Sequence, residues 1–224
     1  MPDTLSHAVH RMEESIKPRL RGVLHEAAFA VSLVTGTVIV CLAPGTRERV
    51  AASVYAASVA LLFGTSAAYH RGSWSPRAQS LMSRLDHSMI FVLIAGTYTP
   101  FTLLLLDGWV RWTVFGITWG GAIGGIIARN AFHQPPRWVF VILYLSLGWV
   151  AVGIMPQVLH AGGVAVLVLL AVGGLFYTFG AIVYARRKPD PSPLWFGFHE
   201  VFHAWTLAAF AVHYVAISLA VYSS

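Results

Sequence analysis

Apolar residues run along this chain in blocks of about twenty, separated by short polar clusters. The blocks lie at 23–43, 50–69, 88–106, 109–128, 137–156, 163–185 and 197–221. Each is close to the roughly 20 residues a helix needs to cross a hydrocarbon core ~30 Å thick. The breaks fall at Pro44-Gly45, Ser73 to Pro76, Asp107-Gly108, Pro135-Pro136 and the KPDPSP stretch from Lys188 to Pro193. Proline, glycine, aspartate and serine are the residues that end helices and turn the chain. The pattern predicts an all-α integral membrane protein: a polar N-terminal segment at 1–22, then one seven-transmembrane-helix bundle at 23–224. Neither an internal repeat nor a low-complexity linker interrupts it.

Composition sharpens this picture. Apolar residues make up 57% and charged residues 11%, against about 25% charged in ordinary soluble domains. The first apolar run is too long for a signal-peptide core and lacks a clear small-residue cleavage site, so it reads as a retained span. The formal charge of +6 comes from residues scattered through short connections, which argues against a nucleic-acid surface. Those charges orient the bundle instead. Arg11, Lys17, Arg19, Arg21, Arg71, Arg77, Arg84, Arg129, Arg137, Arg186, Arg187 and Lys188 fall on one side, and Arg47, Arg49 and Arg111 on the other. The positive-inside rule then places the N-terminus in the cytoplasm and the C-terminus outside.

The chemistry gathers on the same side. With the single cysteine Cys41, neither an internal disulfide nor a thiolate cluster is available, so any metal must rely on His, Asp and Glu. The second block ends in GTSAAYHRG, which puts Ser66 and His70 one turn apart on one helix face. The third begins RLDHSMIF, with Asp86 and His87, and the seventh begins FHEVFH, with His199, Glu200 and His203. All three ends are predicted to be cytoplasmic. His199 and His203, at i and i+4, can share one metal; His70 supplies a third nitrogen and leaves the fourth position of a catalytic zinc site open. Asp86 is then placed to hold or deprotonate a water, and Ser66 to orient it or a substrate oxygen.

H-E-x-x-H on a helix is also the zinc signature of soluble metallopeptidases, where the glutamate is the base. Glu200, however, lies about 100° round the helix from His199, which weakens that reading. Each residue alone has a plainer account: an interfacial histidine, a helix-end acid, a serine in a small-residue stretch. His213, ten residues beyond His203, is too deep to share the metal and reads as a core or cavity residue. His25 and Glu26 could form an outer shell or an interfacial anchor, and His87 is ranked below its neighbour. His7, His10, His133 and His160 read as terminal or loop residues. Trp109, Trp112, Trp138 and Trp195 suit an aromatic belt. Gly121 and Gly125 form a G-x-x-x-G match, read as helix packing within the bundle.

The stretches SAAYHRG (66–72), RLDHSMIFVLIAGTYTPFTLL (84–104), YLSLGWVAV (144–152), GGLFYTFGAIVYARRKPDP (173–191) and FHEVFHAW (198–205) together resemble the bacterial hemolysin III family. That family is the prokaryotic branch of the progestin and adipoQ receptor family, which includes the adiponectin receptors. The resemblance runs from about Pro18 to the C-terminus. It implies a seven-helix bundle in a bacterial plasma membrane, with a cytoplasmic-side zinc held by His70, His199 and His203. It also matches Ser66 to the family's S-x-x-x-H serine and Asp86 to the acidic residue beside its metal-bound water. Its first-helix acid and asparagine ahead of a histidine have no match in RLRGVLHEAAFAV, where only His25 and Glu26 offer comparable chemistry. Relatives include the alkaline ceramidases, so the resemblance implies a Zn2+-dependent hydrolase of a lipid amide or ester, with a membrane lipid as substrate or ligand. The alternatives are a membrane-state receptor with structural zinc, and a channel or cytolytic protein.

Overall fold

A computed structural model describes residues 17–131 and 136–223. His7, His10, Arg11, His133 and Pro135, and most of the 1–22 segment, lie outside the described residues. The named elements are helical: α1 (Val23–Cys41), α2 (Thr46–Arg71), α3 (Pro76–Leu105), α4 (Gly108–Ala131), α5 (Arg137–Gly148), a 3₁₀ segment (Trp149–Ile154), α6 (Met155–Arg186) and α7 (Phe198–Ser223). Among the described residues, five stretches are long and apolar enough to cross a membrane: α1, α2, α3, the 50 residues Arg137–Arg186, and α7.

Neighbouring helices pack in sequence along α1, α2, α3 and α4; α6 packs on α7, and α7 closes the bundle against α1, α2 and α3. Buried Tyr55, Phe63, Phe101, Leu106, Val158 and Ile217 belong to the main core between them. A smaller cluster ties α3 to α4 and α5 through Phe91, Ala122, Phe140 and Tyr144. In a lipid environment such packing relies on shape and close contact more than on expulsion of water. Gly121 and Gly125 illustrate it: an added Cβ would lie 2.6 Å from Leu147 Cδ1 and 2.3 Å from Phe91 Cε1, respectively.

Three local features depart from a plain reading of apolar blocks. α3 starts at Pro76 and not at 88, because Ser75 caps it by accepting from Ala78 N–H and proline occupies its first turn. Asp86 and His87 are therefore held well inside a helix. The fifth block is α-helical only to Gly148, after which the backbone tightens into the 3₁₀ segment. Tyr98 on α3 fixes that break: its hydroxyl donates to Gly148 O and accepts from Ala151 N–H, each at 2.6 Å. Finally, α6 is interrupted at Gly163, whose φ of 77° and ψ of 177° are non-helical and open to glycine alone without strain.

Candidate metal centre

Three helix ends converge on one small volume. α2 contributes Ser66 and His70 from its last two turns, α3 contributes Asp86, and α7 contributes His199 and His203 from its first two turns. Ser66, His70, Asp86 and His203 are buried, and His199 is half-buried. One nitrogen from each of His70, His199 and His203 lies within 4.8 Å of the other two. The Nε2 atoms of His70 and His199 face each other at 3.1 Å. Two nitrogens each about 2.0–2.1 Å from a common tetrahedral ion would be about 3.3 Å apart, so this pair is set as a metal requires. The donor set, three imidazoles and no thiolate, suits zinc or another borderline divalent cation.

Asp86 Oδ2 is 3.8 Å from His70 Nε2, beyond hydrogen-bonding reach yet close enough to act on anything held between them. The Ser66 hydroxyl is the side-chain donor facing that carboxylate. The Nδ1 atom of His87, the next residue, lies 3.9 Å from the same Asp86 oxygen, but the ring's hydrogen bonds go to other partners. Its Nδ1 is 2.7 Å from Ser83 O, an acceptor, so Nδ1 carries the proton and Nε2 accepts from the Tyr184 hydroxyl at 3.0 Å.

The two neighbours His25 and Glu26 separate. Glu26 faces outward and pairs with Arg71 at 3.0 Å. His25 turns inward, 3% exposed, and stacks on His203 with ring centroids 3.6 Å apart and planes within 13°. Neither nitrogen of His25, nor Nδ1 of His203, has a hydrogen-bond partner among the described residues. Metal-binding histidines are commonly oriented by a hydrogen bond to the second ring nitrogen; His203 has none among the described residues and is instead packed against the stacked ring. Gly22 makes room for this arrangement. It starts α1 at φ 83°, and a Cβ there would lie 2.7 Å from His70 Cβ.

Glu200 is fully buried but engaged away from the three imidazoles. One oxygen accepts from Gly197 N–H at 2.8 Å and the other pairs with Arg21 Nε. Asp190 accepts from Phe198 N–H at 2.8 Å, so two acids secure the start of α7. The segment before α1 zips onto the same place: Arg19 N–H donates to Leu194 O and Leu20 N–H to Trp195 O, while the Arg19 guanidinium lies over the Trp195 ring at 4.5 Å. Arg21 was visible in the sequence only as one of many topology-setting charges; its link to Glu200 spans most of the chain.

Behind the metal cluster lies a cavity of about 320 Å³, walled by α3, α5, the 3₁₀ segment, α6 and α7. Asp86, His199 and His203 stand at one end; Thr97, Phe101 and His213 line the part further along the helices. His213 is thus a cavity residue, its Nε2 3.1 Å from Leu170 O. Trp149 and Val152 of the 3₁₀ segment and Leu175 of α6 line the cavity and are 48%, 47% and 44% exposed.

The chain is similar along nearly all of its length to known proteins. The family described as "Haemolysin-III related" matches residues 14–214. "Hemolysin-3" of Bacillus cereus is 32% identical over 218 residues, which cover 95% of this chain and 96% of that protein. The human "Monocyte to macrophage differentiation factor" is 27% identical over 185 residues, 79% of this chain and 73% of its own length. The "Adiponectin receptor protein" of Drosophila melanogaster is 26% identical over 210 residues, 77% of this chain and 43% of its own. A histidine cluster at one end of a multi-pass helical bundle, and a match of this extent, make the chain a member of the haemolysin III family and kin to the adiponectin receptors.

Proposed function

We propose that this protein is a zinc-dependent hydrolase of a lipid amide or ester, acting from the cytoplasmic side of a bacterial plasma membrane. The observation that carries the reading is the meeting of His70, His199, His203 and Asp86 at the end of an apolar cavity. Seven crossings follow if α4, 24 residues long, crosses as well as the five longest apolar stretches and Arg137–Arg186 turns back at Gly163, where its backbone is non-helical. Fifty residues of continuous helix would extend about 75 Å, more than twice the hydrocarbon thickness. The Lys and Arg bias supports a cytoplasmic N-terminus.

His70, His199 and His203 would hold the ion, which when bound supplies Lewis acidity, polarising a carbonyl and making water a stronger acid at neutral pH. The Asp86 carboxylate takes a proton from the attacking water as the new C–O bond forms, then delivers it to the departing amine or alkoxide as the old bond breaks. Ser66 holds that carboxylate in one orientation. The apolar cavity receives the acyl chain, and the wall at the exposed Trp149, Val152 and Leu175 is a route of entry from the bilayer.

Purified protein is expected to contain one zinc per chain, and His70→Ala or His203→Ala to remove most of it. Asp86→Asn should retain the metal while fatty-acid release from a lipid extract falls at least a hundredfold. Stoichiometric zinc without lipid turnover would favour the receptor reading suggested by the name of the Drosophila relative. Unchanged metal content in both histidine variants would overturn the site.

A further inference from the structure

The cavity is apolar along most of its wall, but its far part is not. Thr97 on α3 is 8% exposed, lines the cavity, and makes no hydrogen bond among the described residues. Other buried helical threonines, such as Thr99 and Thr206, bond back to a carbonyl four residues earlier. Tyr177 on α6 also lines the cavity with no partner for its hydroxyl among the described residues, and its ring lies 5.5 Å from that of His213. His213 Nε2 faces the Leu170 carbonyl and so carries the ring proton; Nδ1 is left a buried acceptor without a partner among the described residues. Gly173 makes room for this ring, since a Cβ there would lie 2.2 Å from His213 Cδ2.

These groups share a depth. Thr97 is eleven residues along α3 from Asp86, and His213 ten along α7 from His203, each about 15 Å further into the bundle at ~1.5 Å per residue. An unpaired polar group in an apolar site is costly, and here three helices each bring one to the wall of the same cavity.

We infer that the far end of the cavity is a second recognition site, for a hydroxyl carried on the ligand's chain about 15 Å from its head group, roughly a dozen carbons along. Thr97 and Tyr177 can each donate to or accept from that hydroxyl, and His213 Nδ1 can accept its proton. The inference rests on the lipid-binding reading of the cavity and narrows it: the favoured ligand is an apolar chain with a hydroxyl near its far end.

Binding of 12-hydroxydodecanoic acid, dodecanoic acid and 2-hydroxydodecanoic acid to the full chain in lipid nanodiscs, read by isothermal titration, tests it. The wild-type protein should prefer the 12-hydroxy acid to the other two by about tenfold. Thr97→Val with Tyr177→Phe, which keeps the cavity's shape, should erase that preference while leaving dodecanoic acid affinity within about twofold. Tighter binding of plain dodecanoic acid to the wild type, as an apolar or water-filled end would give, overturns the inference but leaves the lipid reading standing. So does a 12-hydroxy preference that survives in the double variant. Failure of all three acids to bind overturns both.

Discussion

Replacing Arg21 with methionine removes the cation from a carboxylate that has no access to solvent. Glu200 is 0% exposed, and the Arg21 side chain 20%. Breaking a buried ion pair from one side costs about 3–5 kcal/mol because the remaining charge is stranded. Water can reach the partly exposed Arg21 position, so the lower end applies, about 3 kcal/mol. For a chain of this size that corresponds to a fall in Tm of about 9 °C. Glu200→Gln is milder, about 1–2 kcal/mol, because the amide oxygen still accepts from Gly197 N–H and Arg21 can turn to water. In the double variant no charge is stranded, so its loss should be about 2 kcal/mol smaller than the sum of the single losses. Intrinsic tryptophan fluorescence during heating in detergent reads the Tm, and elemental analysis the metal retained below it. The reasoning fails if Arg21→Met melts within about 3 °C of wild type. It also fails if Glu200→Gln keeps its Tm and its metal but loses all turnover, which would restore Glu200 as the base.

Three further substitutions test how the site is held. His25→Ala should weaken metal retention against a chelator by about tenfold, and His25→Phe by much less, since a phenyl ring can still stack on His203; equal losses would show that stacking is not what orients His203. Tyr98→Phe leaves Gly148 O and Ala151 N–H without the hydroxyl that joins them, so hydrogen exchange across 148–154 should accelerate and stability fall by about 1–3 kcal/mol. Unchanged exchange there would remove Tyr98 as the cause of the 3₁₀ break. Gly22→Ala meets both a positive φ and the His70 Cβ; a loss of about 1–2 kcal/mol from the backbone alone is expected, together with weaker metal binding, and an unchanged Tm would contradict it.

Apolar blocks report where a chain meets lipid and are silent about what helix does beyond it. α3 shows the difference: its first turns, SPRAQSLMSRLD, are polar, so hydrophobicity placed the span at 88, although the Ser75-Pro76 start signal was there to read. The 3₁₀ segment WVAVGI is as apolar as its surroundings, so no periodicity distinguishes it; its cause is a tyrosine about fifty residues earlier. The histidine cluster was more legible, because i and i+4 spacing on α7 needs only a helix, and the end of α2 needs only a common depth. Which of His25 and Glu26 turns inward was also encoded. Positions 25, 28, 32, 36 and 39 form the buried stripe of α1, one face at helical spacing, and it includes His25 but not Glu26. The role of Glu200 was legible only in part. Its phase on α7 says that it turns from the imidazoles, but its partner Arg21 comes from the opposite end of the sequence. In this chain the H-E-x-x-H spacing therefore divides its work between two faces of one helix. The histidines face a candidate metal site completed by α2, and the glutamate binds the segment before α1, so a change at either end of the chain acts on the same helix start.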